Sequence, residues 1–101
     1  MVRTERCKEA RVAAEAEWFV YVVRCVDRTL YTGVTTDADK RVAEHNRGCG
    51  ARYTRARRPV ELVYLEPAAD RGAALRRESE IKRMPSAAKR QLIARPRLAA
   101  R

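Results

Sequence analysis

The chain has 101 residues, 23 of them Lys or Arg and 13 Asp or Glu, for a formal net charge of +10. That length supports one small core, no stretch reaches the ~18–20 apolar residues of a membrane span, and the charged segment 1–17 argues against a secretory leader. Cys7, Cys25 and Cys49 are odd in number and form no CxxC pair, which fits neither a disulfide scaffold nor a zinc site, so reduced thiols in a cytoplasmic protein are expected.

Residues 1–17 (MVRTERCKEARVAAEAE) contain few large apolar side chains, and Val2 and Val12 cannot anchor a helix firmly, which predicts a loosely docked arm. The run Trp18 to Val26 (WFVYVVRCV) is β-branched and aromatic with a single charge, which predicts a central strand buried on both faces. Asp27-Arg28-Thr29 predicts a turn and Leu30 to Val34 a second strand, closing a hairpin. A three-residue turn puts Tyr21 and Tyr31 on one face, whereas a two-residue turn separates them. Gly33 within the second strand marks a bulge or the close approach of another group.

Thr36-Asp37 opens a helix to about Asn46, with Asp39 completing a weak capping box and Gly48 as the stop. Residues 47–58 (RGCGARYTRARR) predict a basic loop, and Val60 to Leu65 a third strand. A helix from about 71 to 84 follows, capped by Asp70 and ended by Pro85, then a shorter one from a Ser86 cap through Ile93. The order β-β-α-β-α-α describes an α/β (α+β) domain over residues 18–94, with a basic tail at 95–101.

The charge is unevenly placed. Segment 1–17 sums to zero, whereas 41–58 holds six Arg against one Glu and 76–101 holds nine Lys/Arg against two Glu. Two such blocks point to a polyanion, because neutralising phosphates releases counterions. Neither block alternates with large apolar residues, so a membrane partner is not expected.

Glu78 stands among Ala74, Leu75 and Ile81, inside the apolar stripe of its helix, where an unpaired carboxylate is costly. It can lean outward to Lys82 at i+4 or point from the helix toward a cation. Arg41 and His45 share a helix face four residues apart, and His45 is the chain's single histidine. Taken singly, a helical His is structural and a strand Tyr is a core residue with a satisfied hydroxyl.

Taken together the set is more specific. Tyr21, Tyr31-Thr32-Gly33, Arg41, His45 at +4 and Glu78 on a later helix resemble the GIY-YIG nuclease family. The two name-giving motifs stand here as Phe19-Val20-Tyr21 and Tyr31-Thr32-Gly33, where both tyrosines and the structural Gly33 match the letters. The stretches YVVRCVDRTLYTGVTTD, KRVAEHN, ARYTRARRPVELVYLE and AALRRESEIKRM are similar to its short stand-alone bacterial branch, over about residues 18–93. The resemblance implies a three-stranded antiparallel sheet flanked by helices, with Glu78 as the ligand of one Mg²⁺ or Mn²⁺ ion. It implies Arg41 on the scissile phosphate, Tyr31 with Tyr21 positioning or deprotonating the attacking water, and His45 close by. There are two departures: the only asparagine is Asn46, where many members carry a late Asn near the site, and there is no separate DNA-binding domain.

The chemistry is coherent without the family name. A single inward carboxylate disfavours a two-metal site and suits a hard ion that keeps most of its water. Arg41 offers a planar, bidentate phosphate donor. A tyrosine base, with an ordinary pKa near 10, needs a nearby cation, or His45 takes the proton and leaves a pH–rate limb near pH 6–7. Arg47, Arg52, Arg55, Arg57 and Arg58, joined by Lys82, would grip backbone phosphates, with Tyr53 free to stack on a base. The expectation is a metal-dependent endonuclease acting on DNA with low sequence selectivity, in repair or processing, with RNA left open. The alternative is a non-catalytic DNA- or RNA-binding module on the same scaffold.

Overall fold

A computed structural model describes residues 17–94; the segments 1–16 and 95–101, which hold nearly all of the expected arm and the basic tail, lie outside the described residues. The elements are β1 (Trp18–Arg24), β2 (Leu30–Thr35), α1 (Ala38–Asn46), α2 (Arg52–Arg55), β3 (Glu61–Ala68), α3 (Arg71–Lys82) and α4 (Ser86–Ala94). The sheet is antiparallel with strand order β2-β1-β3. β1 is therefore central, as its unbroken apolar run predicts.

The two faces of β1 carry separate cores. Val20 and Val22 pack with Tyr64 of β3 against Ala74, Ile81 and Leu92 of α3 and α4. On the opposite face Tyr21, Val23 and Cys25 cluster with Val60, flanked by Tyr31, Leu62 and Val42 of α1. An irregularity between Val22 and Val23 shifts the β3 register. As an edge strand, β3 accommodates Pro67, whose missing N–H is not needed there.

Several local expectations change. The hairpin turn sits one residue earlier than predicted: the Cys25 N–H donates to the Thr29 carbonyl and the Arg28 N–H to the Cys25 carbonyl, both at 2.8 Å. Val26 is consequently a turn residue, 59 % exposed, rather than part of the central strand. Arg28 takes the left-handed conformation (φ 73°) that such three-residue loops require. The loop length remains odd, so Tyr21, opposite Gly33, shares a face with Tyr31, opposite Val23.

The cap of α1 is Asp37, whose side chain accepts from the Lys40 N–H at 3.1 Å, and not Thr36. The basic loop contains the short helix α2, which has no side-chain cap to announce it. On α3 the cap is Asp70, accepting from the Ala73 N–H at 2.8 Å. Ala74 and Ile81 are fully buried, but Leu75 is 36 % exposed and does not belong to the buried stripe. Cys25 is a free, buried thiol, whereas Cys49 is disulfide-bonded, contrary to the expectation of three reduced thiols. No helix among the described residues is long and apolar enough to cross a membrane.

The α3 burial pattern makes a direct prediction. Ile81→Ala should lower the unfolding free energy by about 2–5 kcal/mol through lost burial and a residual cavity. Leu75→Ala should cost under about 1 kcal/mol, since that side chain is already wet. Urea denaturation of the two variants compares them, and equal losses would contradict the placement of α3.

Candidate active site

The site begins with a missing side chain. Gly33 lies directly across from Tyr21 in the β1–β2 ladder, and a Cβ there would stand 2.5 Å from the Tyr21 hydroxyl and 2.7 Å from its Cζ. The phenol thus crosses over Gly33 and reaches α1. There its Oη lies 2.8 Å from Nε2 of His45, whose Nδ1 is 2.8 Å from the Thr54 hydroxyl of α2.

The directions of these bonds follow from counting protons. Thr54 has one hydroxyl hydrogen and donates it to the Ala51 carbonyl at 3.0 Å. Its oxygen must then accept from His45 Nδ1–H, which leaves Nε2 as the acceptor for the Tyr21 O–H. The Arg41 guanidinium lies near the Tyr21 hydroxyl and favours its charged form, while its Nη1 donates to Glu44 Oε1 at 2.9 Å. Tyr21, His45 and Thr54 form one polarised chain across β1, α1 and α2, with the Arg41 charge beside it.

Burial keeps that chain neutral in its middle. His45 is fully buried, and desolvation, aided by the Arg41 charge, lowers its pKa to about 4. Desolvation raises Tyr21 to about 12; Arg41 opposes this, and Tyr31 and Glu78 add to it. For Arg41, burial pulls the pKa down, but Glu44 and Tyr21 outweigh it and the net shift is upward. A His45 limb near pH 6–7 is therefore not supported; its titration belongs near pH 4, and its buried ring has both nitrogens engaged.

Around the chain lie more exposed groups. The Tyr31 ring meets His45 edge-on at 5.4 Å and stacks on Tyr53 at 5.9 Å with 23° between planes. Arg57 lies over the Tyr53 ring at 4.0 Å and is held by Asp27 at 3.0 Å. Glu78 takes the first of the two placements foreseen for it, the ion pair with Lys82. Its side chain is 18 % exposed and pairs with Lys82 at 3.1 Å, yet its charge reaches Tyr21, and Lys82 itself lies 5.9 Å from the Tyr31 ring centroid.

Tyr21, Tyr31, Arg41 and His45 are thus brought together, with Glu78, Lys82, Tyr53 and Arg57 around them. The remaining loop cations are more dispersed. Arg55 and Arg58 line a separate recess with Asn46 and Pro59, and Arg47 and Arg52 are exposed. Asn46 is structural, its side chain bonding both the N–H and the carbonyl of Val60. Three residues of the cluster went unpredicted. Gly50 packs so closely on His45 that a Cβ would overlap the ring. Thr54 is completely buried, and Glu44 is buried with Oε2 lacking a hydrogen-bond partner among the described residues. The pair of glycines in an otherwise basic segment was the one available signal.

Among the described residues no group of three His, Cys, Asp or Glu side chains is arranged to hold a metal. A lone carboxylate such as Glu78 does not make a zinc site, which needs three or four protein ligands. It does fit Mg²⁺ or Mn²⁺, which retain water and share substrate oxygens, provided Lys82 releases it.

The buried pair predicts a pH dependence of stability. The unfolded chain protonates His45 below pH 6.5 and the folded chain resists until about pH 4, so this contribution is full above 6.5 and lost as pH falls toward 4. Its size is on the order of 3 kcal/mol. Tyr21 contributes in the opposite sense, fully below pH 10 and decreasingly as pH rises toward 12. Urea midpoints should fall between pH 6.5 and 5, and His45→Gln should flatten that limb. A wild-type midpoint that is constant there would contradict a buried, neutral His45.

Residues 17–91 match the family model described as the GIY-YIG catalytic domain. A UPF0213 protein of Natronomonas pharaonis is 53 % identical over 79 residues, covering 78 % of this chain and 93 % of that one. A UPF0213 protein of Desulfotalea psychrophila is 54 % identical over 77 residues, 75 % of this chain and 70 % of the relative. The solution NMR structure of a UPF0213 protein from Bacillus halodurans is 40 % identical and superposes with a TM-score of 0.51, over 77 % of this chain and 83 % of that one. With the family model matching most of its length and the three-stranded sheet in place, this chain belongs to the GIY-YIG family, a superfamily of nucleases.

Proposed function

We propose that this domain is a divalent-metal-dependent endonuclease that hydrolyses phosphodiester bonds in DNA with low sequence selectivity, serving repair or processing in the cytoplasm. The observation that carries the proposal is the meeting of Tyr21, Tyr31, Arg41 and His45 with Glu78 within electrostatic reach. A pure binding surface has no use for a carboxylate among phosphates.

In this proposal the roles divide by exposure. Arg41 binds the scissile phosphate through guanidinium N–H groups not used on Glu44, and stabilises charge that grows there during reaction. Tyr31 faces the attacking water, since its hydroxyl makes no hydrogen bond to the described residues, whereas that of Tyr21 is engaged by His45. Tyr21 and His45 act as positioning residues that hold Arg41 and the Tyr31 ring. Glu78 would hold a Mg²⁺ or Mn²⁺ ion, which when bound supplies Lewis-acid stabilisation of the phosphate. Arg57 and Lys82 flank the cluster for backbone phosphates, and Tyr53 offers a stacking face at its rim.

Cleavage of plasmid and single-stranded DNA, with affinity measured separately in EDTA, tests the assignment. Glu78→Gln should abolish metal-dependent cleavage and leave affinity unchanged or slightly higher, because a negative charge leaves a phosphate site. Arg41→Lys keeps a cation beside the buried Glu44 but loses the planar fork, and should slow cleavage by about 10²-fold or more. Wild-type protein that binds DNA or RNA yet cuts neither with Mg²⁺ or Mn²⁺ would replace the nuclease with the binding module.

A further inference from the structure

A cavity of about 990 Å³ opens at the turn end of the hairpin, beside the tyrosine cluster. Its apolar lining comes from Leu30, Val63 and Ile93, all partly buried against the α3–α4 core. Its charged lining is Arg24 and Arg28 from the hairpin with Lys89 and Arg90 from α4, and among the described residues no Asp or Glu borders it. None of these four cations makes an ion pair or side-chain hydrogen bond with the described residues. Arg47, Arg52, Arg55 and Arg58 likewise form no ion pair with the described residues, but here four such cations border one cavity. The nearby acids do not compensate the groove: Asp27 is taken by Arg57 and Thr29, and Glu61, across the ladder from Arg24, is exposed and forms no ion pair with the described residues.

The groove and the tyrosine cluster share a wall. Tyr53 lines the cavity and also stacks on Tyr31. Uncompensated cations beside an apolar surface, with an aromatic ring between them and the reacting groups, match the requirements of an unpaired strand. Phosphates follow the cations, and base faces cover the apolar and aromatic side chains. A paired base hides those faces in its stack. The volume lies at the upper end of the range for clefts that enclose small ligands, enough for a short run of nucleotides and not for a duplex. The chain beyond Ala94 carries Arg95, Arg97 and Arg101, so its charge does not complement the groove.

We propose that this groove is a track for single-stranded nucleic acid, holding the stretch that flanks the bond presented to the tyrosine cluster. The proposal rests on the nuclease assignment above and narrows its substrate to strands unpaired on one side of the cut.

The test is fluorescence anisotropy of a short labelled oligothymidylate and of a matched duplex, in EDTA over a range of salt. The variant combines Arg28→Asn, Lys89→Gln and Arg90→Gln; asparagine tolerates the left-handed backbone at position 28. Single-strand affinity should fall at least about tenfold, and the log–log salt slope should become shallower by about 2, at roughly 0.7 per lost contact. Duplex affinity and melting temperature should be nearly unchanged. A folded variant with wild-type single-strand affinity and slope would overturn the track while leaving the nuclease assignment standing. Equal losses on duplex and single strand would also overturn it, reducing the groove to a general cationic surface. Wild-type protein that binds neither DNA would remove the nuclease assignment and the track together.

Discussion

The hydrogen bond between the Tyr21 hydroxyl and His45 Nε2 is the contact on which the rest of the site depends. It ties the central strand to α1, and the other ring nitrogen of His45 extends the tie to α2 through Thr54. Without it, a phenol and an imidazole would be buried with unmet hydrogen-bonding groups, each costing about 1–3 kcal/mol. Two glycines make the contact sterically possible: Gly33 under the phenol and Gly50 against the imidazole. The basic segment 47–58 is shaped by that buried histidine as much as by its own charges.

The same burial sorts the site into an inner and an outer layer. Inside, the neutral Tyr21–His45 pair is flanked by one partly buried ion pair, Arg41–Glu44, whose cation lies near the phenol. A buried pair contributes little net stability, but stranding one partner is costly, which fixes Arg41 in place. Outside, Tyr31, Tyr53, Glu78 and Lys82 keep contact with solvent and can meet a polyanion. Preorganised donors beneath an open rim suit a reaction in which charge grows on phosphate, since the inner layer need not reorganise.

The sheet and its helices were readable from the sequence, because burial on both faces of β1 erases polar alternation and leaves one apolar run. Turn parity, and with it the shared face of Tyr21 and Tyr31, survived even though the turn lay one residue earlier. Glu78 was visible as a carboxylate at the middle of an i, i+4, i+7 face with Ala74 and Ile81. Leu75 misled because hydrophobicity was counted without its angle, about 100° from Ala74 around the helix. α2 stayed hidden since four residues without a side-chain cap carry no periodicity. Thr54 and Glu44 could not be foreseen because their burial is imposed by His45 and Arg41, which are distant from any apolar pattern. The inner layer is tertiary information.

The central claim is that His45 is a neutral, fixed tautomer serving as acceptor to Tyr21. A long-range proton–nitrogen correlation spectrum of uniformly ¹⁵N-labelled protein at neutral pH reports this directly, as the chain holds a single histidine. The structure predicts a protonated Nδ1, donating to Thr54, and an unprotonated Nε2 that keeps its pyridine-type shift down to about pH 5. A protonated Nε2, or two nitrogens averaging like an imidazole in water, would contradict the chain from Tyr21 to Thr54 and the site built upon it.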